Sequence, residues 1–298
     1  MGKFKNIKLQ HFQTARQELP KFFYAPESRL RHPLQLFKQM WRDLLNSRGL
    51  AWQLIVRDIS AQYRQSFLGI FWAFIPPIIT AAGLTFARNA NIVNLGNTDL
   101  PYPAYVMFST ALWQTFTEAL NSPLQEVNAA KGMLAKINFP REALILAGLG
   151  KVFFNFGIKL ILIVALFIWF QIPVTWIAIL APVALIHLVI LGTAIGLLLA
   201  PIGTLYQDIP KLITVFLGFW LLITPVIYAV PQTGKFAILV NLNPVTPLLV
   251  TVRELATTGV LSNPQGFWVV SVIAIVGLLV AWLVYRLAMP FIVERMSA

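Results

Sequence analysis

"ALILAGLGKVFFNFGIKLILIVALFIWFQIPVTWIAILAPVALIHLVILGTAIGLLLAPIG" occupies residues 143–203. It divides into two apolar runs, about 143–170 and 175–203, each longer than the ~20 residues that a helix needs to cross a bilayer. Only "QIPVT" lies between them, and a link that short folds the two runs back on each other as an antiparallel helical hairpin. The ionisable side chains in the stretch are Lys151, Lys159 and His187. A soluble core has no use for two such runs in succession, so the solvent for this chain is hydrocarbon.

The rest of the chain agrees. Of 298 residues, 58% are hydrophobic and 11% charged, and mean hydropathy is +0.73. Soluble domains carry about 25% charged residues. The formal net charge of +12 fits basic loops facing anionic lipid. It does not point to nucleic acid, because no basic segment interleaved with aromatic stacking residues accompanies it. No cysteine is present, which excludes disulfides, thiol catalysis and thiolate metal sites. No HExxH or similar metal-ligand spacing occurs.

Working outward from the hairpin, four further apolar runs reach membrane length: about 67–87, 103–122, 210–230 and 266–289. The stretch between the last two, "PQTGKFAILVNLNPVTPLLVTVRELATTGVLSNPQG", is too apolar for a free loop. Pro244, Pro247 and Gly259 interrupt it too often for a crossing helix, so a re-entrant segment is expected there. Before the first run, Phe37, Met40, Trp41, Leu44 and Leu45 recur at helical spacing, followed by Trp52, Ile55, Val56, Ile59 and Tyr63. Polar residues take the opposite faces. With no soluble core nearby, this pattern reads as an interfacial helix lying in the membrane plane.

The expected fold is therefore an all-α integral membrane protein with six transmembrane helices. An N-terminal amphipathic interfacial helix precedes them, and a re-entrant segment lies between helices five and six. The expected divisions are a cytoplasmic lead at 1–33, the interfacial helix at 34–65, a six-span transmembrane domain at 66–290 and a cytoplasmic tail at 291–298. Lysine and arginine counts set the orientation. With a cytoplasmic N-terminus, nineteen fall on inner segments, Arg88, Lys235 and Arg253 fall outside, and Lys159 lies within a span. Both termini are then inside.

Little chemistry is offered at membrane depth. Glu118 and Lys159 lie in the second and third runs, close enough in depth for a polar patch. His187 stands alone, where a helix-to-helix hydrogen bond is the ordinary role. "QTGKFA" (232–237) has a Gly-Lys pair but lacks the upstream glycine and the following Ser or Thr of a phosphate loop. The chain is thus not expected to be an enzyme: if it pumps, another chain supplies the energy. An integral membrane glycosyl- or acyltransferase is the rival class, but it would need acids or histidines clustered at one depth. Two connections mix basic and apolar residues in a way suited to docking: "NSPLQEVNAAKGMLAKINFPREA" (121–143) and "LYQDIPK" (205–211).

Taken together, "RDISAQYRQSFLGIFWAFIPP" (57–77), "LWQTFTEALNS" (112–122), "KGMLAKINFPREALILA" (131–147), "YQDIPKLITVFLGFWLLITPVIY" (206–228) and "NPVTPLLVTVRELATTG" (243–259) resemble the permease subunit of ATP-binding-cassette polysaccharide exporters. Members of that family export O-antigen, capsule or teichoic-acid chains on lipid carriers. The resemblance covers about residues 50–290 and implies a homodimer with two copies of a separate ATPase. ATP and magnesium would be bound there and not by this chain, the location would be a bacterial inner membrane, and the cargo would be a lipid-linked glycan or, failing that, another lipid or small hydrophobic molecule. It implies ATPase contacts at Arg57, Asp58, Arg64, Lys131, Lys136, Arg141, Glu142 and Asp208. It also implies a conduit lined by Phe71, Trp72, Trp113, Phe116, Trp220 and Tyr228, and a first span shaped by a kink at Pro76 and Pro77. One departure is Gln207, where many relatives place an arginine before the aspartate. The lead at 1–33 lies outside the resemblance.

Overall fold

The computed structural model describes residues 33–64, 69–92, 96, 98–134, 136, 137 and 139–297. The expected N-terminal lead falls outside them except for Pro33. The chain divides after Leu45 into two compact units. The described part of the first lies in α1, Pro33–Asn46, an amphipathic helix that opens on a proline and whose last residue falls in the second unit. The expected single interfacial helix is broken at Ser47, where α2, Arg48–Arg64, starts.

Helices are the regular secondary structure of the second unit among its described residues. A 3-10 turn at Gly69–Ala73 leads into α3, Ile75–Asn89. α4 is Tyr102–Ala129, α5 is Glu142–Trp169 and α6 is Ala181–Leu205, which is preceded by a 3-10 turn at Trp176–Leu180. α7 is Asp208–Ile223, α8 is Lys235–Leu242, α9 is Val245–Ala256 and α10 is Pro264–Ser297. A single helical turn, Lys131–Leu134, lies between α4 and α5.

The expected six crossings are not what forms. Among the described residues, three helical stretches are both long and apolar enough to cross a membrane: Glu142–Trp169, Trp176–Leu205 and Pro264–Arg295. A fourth exists only if α8 and α9, bent by 82° at their junction, are taken as one broken span. The first expected span is cut by the 3-10 turn, and its α3 has 15 residues. At 1.5 Å per residue that is about 22 Å, against a hydrocarbon core of about 30 Å. The fifth ends at Ile223, after 16 residues. The second, α4, has the length, at 28 residues, but carries Gln114, Thr117, Glu118, Asn121 and Ser122 in its middle. It serves as a buried centre instead, with Phe116, Ala119 and Val127 fully enclosed. Pro76 and Pro77 do not kink a span either. They occupy the first turn of α3, where a missing N–H costs nothing and the fixed φ favours starting a helix.

α6 lies at the heart of the unit, against α4, α9 and α10. Its glycines explain how it gets so close to α4. A Cβ on Gly192 would sit 2.7 Å from the Phe116 carbonyl oxygen, and one on Gly196 would run into the Leu120 carbonyl. A Cβ on Gly203 would meet the Leu124 side chain at 2.8 Å. Small residues at such spacing let helix backbones meet where lipid offers no hydrophobic drive. The same device seats α2 on α5: Gly150 leaves room for the Ile55 side chain.

Candidate functional site

The end of α4, the first half of α5, the end of α6, α2 and α10 are tied together through charged side chains. Lys151 on α5 bridges Asp58 of α2, at 3.5 Å, and Glu126 of α4. Arg57 Nε donates to Asp58 Oδ1 at 2.7 Å. Glu126 is 2% exposed and Asp58 17%, whereas Arg57 keeps 54% of its side chain in the open. Lys131 Nζ donates to the Thr204 carbonyl at 3.2 Å, joining the turn after α4 to the end of α6. Arg286 of α10 donates to Glu142 Oε1 at 2.6 Å, with both groups largely enclosed.

Each expected docking residue thus has a definite place. Asp58, Glu142 and Lys131 are turned inward, to Lys151, Arg286 and Thr204. Arg141 is half-buried. Arg64 and Lys136 are exposed, and so is Asp208, beside Lys211 at 3.9 Å. Sequence reasoning missed Lys151, Glu126 and Arg286. Their signal was opposite charge at the ends of neighbouring helices, which becomes readable only once the helix ends are aligned.

The expected conduit aromatics divide in a similar way. Trp113, Phe116 and Trp220 pack together, with ring centroids 5.4 Å apart for Trp113–Phe116 and Phe116–Trp220. Trp113 and Phe116 are buried within this chain's own core. Phe71 and Trp72 are exposed and lie apart from that group, in the 3-10 turn. Tyr228 packs on Phe236 at 5.5 Å.

A polar lock lies beyond this aromatic group. Trp220 Nε1 donates to Asn243 Oδ1 at 2.9 Å, and Asn243 Nδ2 donates to Thr224 Oγ1 at 2.8 Å. Asn243 thereby pins the sharp α8–α9 corner to the end of α7. The turn segment after α7 is held by α4: the Tyr102 hydroxyl donates to the Ile227 carbonyl at 2.9 Å, and that of Tyr105 to the Tyr228 carbonyl at 2.7 Å. Arg253, counted from sequence as an outer-loop charge, is buried on α9. It lies over the Tyr105 ring at 4.2 Å and donates to Ser109 Oγ at 3.0 Å.

The two intramembrane features noted in the sequence are also placed. Lys159 donates to Glu118 at 2.5 Å, and Asn155 donates to the other carboxylate oxygen at 3.2 Å. His187 Nδ1 lies 2.8 Å from the Val183 carbonyl of its own helix, and its ring rests on Phe267. It packs against α10 instead of making the expected hydrogen bond to another helix. Among the described residues, no three His, Asp or Glu side chains converge as metal ligands would.

Comparison with known proteins bears on what this arrangement belongs to. A family model described as "ABC-2 type transporter" matches residues 49–256, from α2 through α9. The "O-antigen export system permease protein RfbA" of Myxococcus xanthus is 24% identical over 72% of this chain and 82% of its own length. The protein of the same description from Klebsiella pneumoniae is 23% identical over 69% of this chain and 79% of its own. The family match takes in α2, the central helix pair and the bent corner, and the chain accordingly belongs to the ABC-2 type transporter family, as a multi-pass membrane permease that is a transport component and not itself an ATPase.

Proposed function

We propose that the chain is the membrane subunit of an exporter that moves a lipid-linked polysaccharide, of the O-antigen kind, outward across the bacterial inner membrane. In this reading it pairs with a second copy of itself and with two copies of a separate ATP-binding-cassette ATPase. The observation that carries the reading is the alignment with two O-antigen export permeases over more than two thirds of each partner's length.

The charged end of the bundle supplies the physical support. Arg57, Arg64, Lys136 and Asp208 are exposed there, while Asp58, Lys131 and Glu142 hold the helices beneath them in register. Exposed charges of both signs over a braced base suit recognition of a soluble partner. In the proposed orientation this end faces the cytoplasm, α2 lies along the membrane surface within the 34–65 segment and residues 66–290 form the permease; with the bent α8–α9 pair as a fourth crossing, both termini are inside. The burial of Arg253 removes one of the three basic residues assigned to the outer side, which strengthens the inward bias of the remainder.

The test is copurification with the ATPase, followed by mass spectrometry of the lipid that comes with the complex. A glycan on a lipid carrier is the expected result. Recovery of the complex with an unglycosylated lipid as its transported species would overturn the cargo, and failure to recruit any ATPase would overturn the reading as a whole.

A further inference from the structure

A cleft of about 640 Å³ opens between α5, α6 and α9, at the end of the hairpin away from the charged base. Its floor is Phe108, Ile163, Leu185 and Val252, all buried. Its rim is Leu160, Val164, Ile168 and Val174, between 44% and 74% exposed. Gln171 is the one polar side chain in the lining, and it lies at the hairpin tip. The walls are tied: Thr175 Oγ1 at the tip donates to the Thr257 carbonyl just past α9, at 3.1 Å.

Size and polarity select the occupant. The lining on α5 runs from Phe156 to Ile168, a rise of about 18 Å and close to the ~15 Å depth of one hydrocarbon leaflet. A helix 10 Å across and that long would need roughly 1,400 Å³, so a helix of a second copy or of another protein does not fit. A single hydrocarbon chain does. The rim belongs to a span of a membrane permease, so the medium at the mouth is lipid. One polar amide at the tip end marks the cleft as a seat for an amphiphile whose tail points toward the middle of the bilayer. The geometry points to a resident site for one acyl chain of a bilayer phospholipid, with the ester end near Gln171 and the chain end near Phe156. Bilayer phospholipid surrounds the mouth at far higher concentration than any transported lipid, and mass action favours it. The site rests on family membership and on the cleft, not on the cargo or the ATPase proposed above.

The test uses the whole permease in nanodiscs of phosphatidylethanolamine and phosphatidylglycerol. A trace of phosphatidylethanolamine carries a diazirine, either at the acyl terminus or beside the ester. After photolysis, peptide mapping should find the terminal probe near Phe156 and Leu160 and the ester-proximal probe near Gln171 and Val174. Ala181→Trp, which fills the floor, should abolish both labels and leave unchanged the label on the exposed face of Trp268, Val272 and Val276. Should that variant not purify as a single species, Val164→Trp at the rim is judged by the same criteria. Labelling that ignores probe depth, or that persists when the cleft is filled, overturns the proposal. So does a diazirine polyprenyl phosphate that displaces the phospholipid probe at equal amounts, since it would assign the cleft to a carrier lipid.

Discussion

Lys151 is the most consequential single side chain at the charged base. Its ammonium holds Glu126, which has almost no contact with solvent, and Asp58 of α2 together. Removing one partner of an enclosed ion pair leaves the other unpaired, at a cost of about 3–5 kcal/mol. Lys151 is itself a quarter exposed, so the low end of that range applies. Lys151→Met should lower the unfolding free energy in detergent by about 3 kcal/mol, and adding Glu126→Gln should recover most of the loss. Equal destabilisation in the single and double variants would show that the pair does not act as a unit. Tyr105 offers a second test at this scale. Tyr105→Phe keeps the ring beneath Arg253 but strips the hydrogen bond from the Tyr228 carbonyl. A buried acceptor left unsatisfied costs about 1–3 kcal/mol; this one is half-buried, so a loss at the low end is expected, which a denaturant titration in the same detergent would read.

Among the elements, the α4–α6 contact sets the geometry of everything else. It depends on the absence of side-chain atoms at Gly192 and Gly196, which face the α4 backbone itself and not a movable side chain. Gly196→Leu should therefore cost at least the ~1–3 kcal/mol typical of overpacking. Gly218→Leu on α7, where a Cβ meets nothing within 4 Å, should be tolerated. Comparable melting temperatures for the two variants would refute the close approach as the organising contact. How much of this was legible in the sequence follows from what each element depends on. The hairpin was, because uninterrupted apolar length and a short link are local properties. The sharp corner at Asn243–Pro244 was partly legible, since its prolines announce a break but not its 82° angle. The six-span expectation failed at α3, α4 and α7 for one reason: summed hydrophobicity does not register where a helix starts, stops or turns its polar face inward. Asp58 and Glu142 were read as outward charges because their partners, Lys151 and Arg286, lie 93 and 144 positions away.

At the scale of the molecule, the open questions are which way the bundle faces and what meets its charged end. Orientation has a clean test because the chain lacks cysteine. A single cysteine at Gln171, exposed at the hairpin tip, should react with an impermeant thiol reagent added to intact cells, and one at Gln207, exposed beyond the crossing helix α6, should not. The reverse pattern would invert the molecule. The docking proposal then rests on the difference between a charge that braces the fold and one that only greets a partner. Arg57 is half exposed and bonded to its neighbour Asp58, which Lys151 also holds. Exposed pairs of that kind contribute about 0–1 kcal/mol, so Arg57→Glu should leave expression and melting temperature near those of the parent protein. The same holds for Lys136→Glu, which is exposed in the turn after α4. Charges at the edge of a partner interface act chiefly on association rate and its salt dependence. The double variant should therefore recruit the ATPase more slowly, most visibly at low ionic strength, while remaining folded in the membrane. Recruitment at the parent rate across the salt range would mean that these residues face lipid headgroups, and that the ATPase, if it binds at all, binds elsewhere.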